Sequence, residues 1–165
     1  MKRNSRGFSL IELLIVVAII LIIAAIAIPN LLRSRIAANQ ASAVGSLRTL
    51  NTSDITYAST YNGGYAAQLS YLGPGNGGNP SQSQGGLVDN VLAGSGSNIS
   101  AKSGYNFGYT PGTTDASGKI NTYSFIAWPI TVGTTGTNYY FTDQSGVIRQ
   151  NSTVQAGSSD SPIGG

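Results

Sequence analysis

An apolar segment near the start of the chain limits what this protein can fold into. Residues 7–29 read GFSLIELLIVVAIILIIAAIAIP and carry a single charge, Glu12, close to their beginning. As an α-helix, residues 8–28 would be about 31 Å long, which matches the hydrocarbon core of a bilayer. A charge in such a span costs roughly 2.5–3.5 kcal/mol, so Glu12 either lies near the interface by chance or is kept for a partner. The segment is predicted to span a membrane.

The residues before this segment predict its orientation. Three basic side chains precede Gly7: Lys2, Arg3 and Arg6. Because basic residues stay on the cytoplasmic side, the N-terminus should be cytoplasmic and the rest of the chain should lie outside the membrane. An ordinary secretory signal cut near Ile28 is the alternative, since residues 25–27 read Ala-Ile-Ala. We favour the anchored segment, because the apolar run is longer than a usual signal core and a discarded signal has no use for Glu12.

This N-terminal pattern resembles the prepilin signature of type IV pilins and type II secretion pseudopilins. The shared features are a basic leader ending in Gly7, then Phe8, then a carboxylate at the fifth position after the glycine, Glu12, and a hydrophobic helix. The resemblance covers residues 1 to about 61 and implies a pilin-like α+β fold, with a long N-terminal helix packed on a small C-terminal antiparallel β-sheet. It divides the chain into a leader (1–7), a transmembrane or filament-core helix half (8–30) and a periplasmic or extracellular globular domain (31–165).

The resemblance also implies roles for individual residues. Gly7 and Phe8 would flank the bond cut by a prepilin peptidase, which in this family also methylates the new N-terminus, here Phe8. The carboxylate of Glu12 would neutralise the N-terminal amine of an adjacent subunit, so that Phe8 and Glu12 direct filament assembly. The simpler alternatives are that Gly7 is a flexible entry into the membrane and that Glu12 reaches the lipid headgroups before assembly.

Pro29 interrupts the long helical pattern. It removes one i to i−4 hydrogen bond and crowds the preceding turn, so a kink or local melting is expected around residues 25–30. In the family such a region permits stretching of the assembled filament, whereas the simpler alternative is a kink with no further role.

The helical pattern resumes after Pro29 and is predicted to continue to about Tyr61. Apolar residues at three-to-four spacing predict a face that packs on a domain: Leu32, Ile36, Val44, Leu47, Leu50, Ile55 and Ala58. Residues 62–64, Asn-Gly-Gly, supply the expected stop.

The second half of the chain predicts a small antiparallel sheet. Aromatic and β-branched runs separated by turn residues predict strands at 105–109, 121–128, 138–142 and 147–150. The tightest hairpin is expected at 141–148, with Asp143 and Gly146 at its turn. Residues 73–98 are predicted to be surface loop with one short helix at 87–92, and the tail at 154–165 is predicted to be loose.

Composition excludes most catalytic and nucleic-acid-binding designs. Histidine and cysteine are absent, which removes the commonest general base, the thiol nucleophile, most zinc ligands and any disulfide. Three of the nine basic residues precede Gly7, which leaves six basic against six acidic residues after it. We therefore predict no enzyme, no cofactor and no nucleic-acid partner.

Two loop carboxylates, Asp115 and Asp143, are weak calcium candidates because oxygen ligands suit that ion, although no run of alternating acids like an EF-hand is present. Turn formation is the favoured role for both. The nine tyrosines, four phenylalanines and one tryptophan raise the idea of an electron-conducting fibre, but their alternation along strands favours a domain core.

The predicted function is that of a structural subunit of a type IV pilus. The implied partners are other copies of the chain in a helical filament, the bacterial inner membrane, a prepilin peptidase and a pilus or secretion assembly platform. The precursor would lie in the inner membrane and the mature subunit in a surface pilus that serves adhesion, motility or DNA uptake. Three alternatives remain: a major pseudopilin of type II secretion in the periplasm, a minor pilin that binds DNA, and a single-pass anchored binding or enzymatic domain.

Overall fold

The computed structural model describes residues 8–61, 63–75 and 79–164. Its contacts divide the chain into two units, one that ends at Arg35 and one that begins at Ile36. In chain order the elements are α1 (Leu10–Tyr61), a 3₁₀ turn (Leu69–Leu72), α2 (Asn90–Ala93), β1 (Ile99–Lys102), β2 (Tyr105–Pro111), β3 (Tyr123–Pro129), β4 (Tyr139–Asp143), β5 (Arg149–Asn151) and β6 (Ser161–Pro162). The predictions for the leader, for Asn62 and for residues 76–78 lie outside the described residues.

The N-terminal unit is helical from Leu10 onward and buries almost nothing within itself. Its leucine and alanine residues favour a helix, and the large apolar side chains from Phe8 to Leu32 are 40–76% exposed. Exposing such a large apolar surface to water is unfavourable, because burial of apolar area is the main favourable term in folding and association. This unit therefore needs lipid or other protein chains around it.

The second unit is built on a six-stranded antiparallel sheet in which sequential strands are neighbours, in the order β1 to β6. The longest pairing is between β2 and β3, where Phe107 lies opposite Ala127 and Tyr109 opposite Phe125. Alternate residues of β3 are buried, as expected for a sheet with one face on a core. The α+β class, the long helix and the small antiparallel sheet are confirmed.

Aromatic side chains from the strands fill this core. The Tyr109 and Phe125 rings lie 4.8 Å apart between centroids, and the Tyr65 and Tyr123 rings lie 4.5 Å apart. Phe107 and Phe125 are fully buried. The prediction that the aromatic residues form a domain core is therefore confirmed.

The face that α1 buries differs from the predicted one. Leu47 and Leu50 are buried as expected, but Ile55 is 47% exposed and the polar Asn51 and Asp54 are buried instead. The reason is that the sheet supplies hydrogen-bond partners: Asn51 donates to the Thr142 hydroxyl at 2.8 Å. A satisfied polar group can take a core position that hydrophobic periodicity alone would not assign to it.

The predicted strands and the hairpin at 141–148 are confirmed, with ends shifted by one to two residues and with Gly146 N–H donating to the Asp143 carbonyl at 2.9 Å. β1 was not predicted, because Ile-Ser-Ala-Lys has little strand preference and pairing with β2 decides its conformation. The short helix begins at Asn90, later than predicted, since the Asp89 carboxylate accepts from Leu92 N–H and caps it there.

The prediction of a loose C-terminal tail is wrong for the described residues up to 164. β6 pairs with β5, and Ala156 is buried. The Asp160 carboxylate accepts hydrogen bonds from Asn151 Nδ2 at 2.9 Å and from Gly157 N–H at 2.8 Å. These hydrogen bonds hold the tail on the domain without a disulfide.

Candidate functional site

The acidic residue Glu12 caps the start of α1. The backbone N–H of Ser9, the residue before the helix, donates to Glu12 Oε2 at 2.9 Å, and Leu13 N–H donates to the Ser9 carbonyl at 3.2 Å. A Ser-x-x-Glu sequence in which the glutamate reaches back to the N-cap backbone is one half of a capping box, and the negative charge also suits the positive end of the helix dipole. Our sequence reasoning missed this role of Glu12, although the Ser9–Glu12 spacing carries the signal.

Glu12 is also the only charged residue from Phe8 to Leu32. The helix around it is long and apolar enough to cross a membrane by length and composition, with a mean hydropathy of 3.3 over its most apolar window and none of that window buried. A carboxylate in such surroundings has few ways to be compensated. Within the described residues, the Ser9 N–H is the hydrogen-bond partner that the structure gives it.

The other residues assigned to processing and assembly lie in or next to this segment. Gly7 is outside the described residues, and Phe8 is 76% exposed. Pro29 lies inside α1, and residues 25–30 are helical around it. Melting at Pro29 in an assembly therefore remains a prediction about another state of the chain.

The two calcium candidates both support turns. Asp115 Oδ1 accepts from Ser117 N–H at 2.8 Å and from Lys119 N–H at 3.0 Å, while Oδ2 accepts from Asn121 Nδ2 at 2.7 Å. The Ser117 hydroxyl also donates to Oδ1, at 2.6 Å, and this bond together with the others holds the pKa of the Asp115 carboxyl well below its usual range. In the part of the chain that the structure describes, no group of three acidic residues is placed to hold a metal ion. The geometry fits the turn role for Asp115.

Asp143 lies at the end of β4, where its Oδ1 accepts from Ser145 N–H at 2.9 Å. Together with the bond from Gly146 N–H to its carbonyl, this contact closes the turn between β4 and β5. Calcium binding at either residue stays the less favoured alternative.

Comparison with known proteins finds a family motif in the same N-terminal segment and two similar pilins. Residues 2–28 match the family model of the prokaryotic N-terminal methylation motif. The chain is 68% identical over 37 residues to the type IV wide pilus major component PilA4 of Thermus thermophilus, covering 22% of this chain and 28% of that protein. It is 49% identical over 56 residues to the type IV major pilin PilA of Myxococcus xanthus, covering 34% of this chain and 26% of that protein.

The matched part of the chain thus spans about a quarter of the length of these relatives. No solved structure shows significant similarity to the chain. The family-model match includes Gly7, Glu12 and the start of the apolar helix, on which the resemblance rests. The N-terminal segment of the chain therefore carries the prokaryotic N-terminal methylation motif, and the chain is similar over a short stretch to two type IV pilins.

Proposed function

We propose that this chain is a structural subunit of a type IV pilus. The observation that carries the proposal is the contrast between the two units: the helix from Phe8 to Leu32 exposes its apolar side chains, whereas the second unit buries a complete core. The family motif in residues 2–28 and the two major pilins among the relatives support the same function. The exposed helix would be covered first by lipid and then by the same helices of other subunits.

Processing would prepare the chain for assembly. A prepilin peptidase would cut after Gly7 and methylate the new N-terminus of Phe8, leaving an amine two residues before the helix. The Glu12 carboxylate would then neutralise the corresponding amine of an adjacent subunit. Two opposite charges in an apolar surrounding offset much of the penalty of either one alone, and a register that leaves Glu12 unpaired costs several kcal/mol.

The capping geometry is compatible with this pairing. Ser9 N–H engages one oxygen of Glu12, and a carboxylate has two oxygens that each accept more than one hydrogen bond. Glu12 can therefore keep its helix cap while it receives an amine from a neighbour. Pro29 lacks the N–H that would bond to the carbonyl four residues earlier, so we infer that the helix loosens around residues 25–30 when subunits stack or the fibre is stretched.

The precursor would lie in the inner membrane with its leader in the cytoplasm, and the mature subunit would lie in a surface filament. The proposed role is structural, as it is for the two pilins, and the chain lacks histidine and cysteine, which supply the commonest general base and the thiol nucleophile. A periplasmic pseudopilin would use the same N-terminal chemistry, and an assembly platform with retraction motors encoded beside this chain would distinguish a pilus from a secretion system.

The intact mass of the subunit in a sheared surface fraction tests this proposal. We expect a chain that begins at Phe8 with one added methyl group and retains the apolar helix. A Gly7→Leu variant should keep its leader and be absent from the sheared fraction. A mature chain that begins near Ile28, found as a soluble monomer, would overturn the proposal.

A further inference from the structure

A fully buried carboxyl group lies where α1 meets the sheet. Asp54, on α1, has no exposed surface. Its Oδ1 accepts a hydrogen bond from Ala66 N–H at 2.8 Å. Its Oδ2 lies 2.9 Å from the hydroxyl oxygen of Tyr109 on β2, and that hydroxyl also lies 2.6 Å from the Ala66 carbonyl oxygen. Asp54 and Tyr109 together hold both backbone groups of Ala66.

The number of protons in this cluster decides whether its bonds can all form. The Tyr109 hydroxyl has one proton, but two oxygens lie within hydrogen-bond distance of it: Asp54 Oδ2 and the Ala66 carbonyl. If Asp54 is ionised, one of these two buried acceptors is left without a donor. If Asp54 carries a proton, it donates to the tyrosine oxygen, the tyrosine donates to the Ala66 carbonyl, and every group is satisfied.

We propose that Asp54 takes up a proton in the folded chain and that, while it holds this proton, the segment after α1, residues 63–66, is locked onto α1 and the sheet. When the proton leaves, the Tyr109 hydroxyl turns to the stronger acceptor, the carboxylate, and the Ala66 carbonyl loses its donor. Residues 63–66 then loosen, because an unpaired buried polar group is unfavourable. The chain thus carries a proton-dependent lock that does not depend on filament assembly.

The surroundings of Asp54 favour the neutral form. Burial raises the pKa of Asp54 to about 6, while the Ala66 N–H and the Tyr109 hydroxyl lower it by smaller amounts. Among the described residues, no basic side chain contributes to this shift. A carboxylate stabilised by an ion pair would have the opposite shift.

The other titratable groups at this site come from several elements. Tyr57 faces it from α1 and Tyr123 from β3, and Tyr123 also faces Asp143 at the end of β4. Burial is the main reason why the pKa of Tyr57 is raised to about 12, and it also raises the pKa values of Tyr109 and Tyr123. These tyrosines stay neutral in the range where Asp54 titrates.

The sign of the pH effect follows from this. The pKa of Asp54 is about 6 in the folded chain, against 3.8 for an exposed aspartate. A group whose pKa is raised by folding contributes stability in acid, and that contribution is lost as the pH rises through the folded pKa. The lock is closed below about pH 5 and open above about pH 7.

Carboxyl titration tests the protonation directly. The full chain, purified in detergent and labelled with ¹³C at the aspartate carboxyl groups, has five aspartates, so the signals can be resolved. We expect one signal to titrate near pH 6 and to be missing in Asp54→Asn. If all five titrate below about pH 4.5, the proposal is wrong, and this result needs no variant that folds.

A variant of Asp54 tests whether protonation of this carboxyl group changes the stability of the fold. Asn in place of Asp54 donates to the tyrosine oxygen as the protonated acid does, so Asp54→Asn should stay folded and lose the pH dependence. The unfolding equilibrium constant of the wild type should rise roughly twentyfold more than that of Asp54→Asn between about pH 4.5 and pH 8. An equal rise in both would overturn the proposal.

The hydroxyl group is tested by Tyr109→Phe, which keeps the ring packing on Phe125. It removes a bond that lowers the pKa of Asp54, so the titration midpoint should move upward, and deuterium exchange at residues 63–66 should be faster at pH 5 than in the wild type. The matched control is Tyr139→Phe, on the same sheet and without a hydroxyl bond to this cluster, which should change neither. An unchanged midpoint and unchanged exchange in Tyr109→Phe would rule out the lock.

Discussion

The Glu12 carboxylate accepts a hydrogen bond of 2.9 Å from the backbone N–H of Ser9, so the one charge of the exposed apolar helix is held at the start of that helix. This contact orients the side chain toward the N-terminus before any partner is present. A group that is already oriented loses less side-chain entropy when it forms an ion pair. We infer that, if Glu12 pairs with the amine of a neighbouring subunit as proposed, the helix cap orients it for that contact.

Two substitutions at Glu12 separate its charge from its cap. Glu12→Ala removes both, whereas Glu12→Gln removes the charge but keeps an oxygen that can accept from Ser9 N–H. Both variants should enter the membrane and be cut after Gly7. If charge pairing sets the register, both should reduce the filament yield in sheared fractions by roughly tenfold or more when no wild-type subunit is present. Normal yield from Glu12→Gln would show that the cap, not the charge, is what assembly requires.

DNA binding should be weak in the mature chain. After Gly7 the basic and acidic residues are equal in number. Basic side chains in the described part of the chain are engaged within it: for example, Lys102 pairs with Asp89 at 2.8 Å, and Arg149 donates to the Asp160 carbonyl at 2.8 Å. Fluorescence anisotropy of the processed chain with duplex DNA should show no binding at physiological salt. A complex that persists at that salt would favour the minor-pilin alternative.

The sequence predicts those parts of the fold that depend on local pattern. The apolar run, the end of α1 near Tyr61 and the strongest strands follow from composition and periodicity. The buried face of α1 does not follow from periodicity. Asn51 and Asp54 are stable in the core because of hydrogen-bond partners that lie far away in sequence, Thr142 and Tyr109. The pattern of residues along a helix does not predict such distant partners.

The same distinction applies to the candidate site. Gly7, Phe8 and Glu12 are identified from a short local motif, and the capping of Ser9 by Glu12 could also have been read from four residues. β6 and the hydrogen bonds to Asp160 could not be predicted from a local motif. Ser161–Pro162 has no strand signal and becomes a strand only by pairing with β5.

The polar contact between α1 and β4 should contribute to stability. The Asn51 side chain donates to the Thr142 hydroxyl at 2.8 Å and accepts from the Tyr123 hydroxyl at 3.2 Å. Asn51→Ala leaves both buried hydroxyls without this partner, so the free energy of unfolding should fall by about 2–4 kcal/mol. Chemical denaturation in detergent, followed by fluorescence of Trp128, measures this.

Thr52→Ala is the matched control for Asn51, since Thr52 is the next residue of α1, is exposed, and its hydroxyl donates to the Arg48 carbonyl of its own helix. Its effect should stay within about 0.5 kcal/mol. Equal effects of the two substitutions would contradict the role assigned to Asn51.

Gly64 should be the glycine whose replacement is most costly among those with positive φ. Its φ is +80°, and a Cβ atom there would collide with the backbone of Ile120, to which Tyr65 N–H donates at 2.8 Å. Gly146 also has positive φ, +73°, but open space where its Cβ would lie. Gly146→Ala should therefore cost only the backbone strain, roughly 1–2 kcal/mol. Gly64→Ala should cost about 1–3 kcal/mol more, because the backbone of Ile120 cannot move aside without breaking the contacts of residues 63–66. Parallel denaturation of the two variants in detergent would check this, and equal losses would show that residues 63–66 adapt to a side chain at position 64.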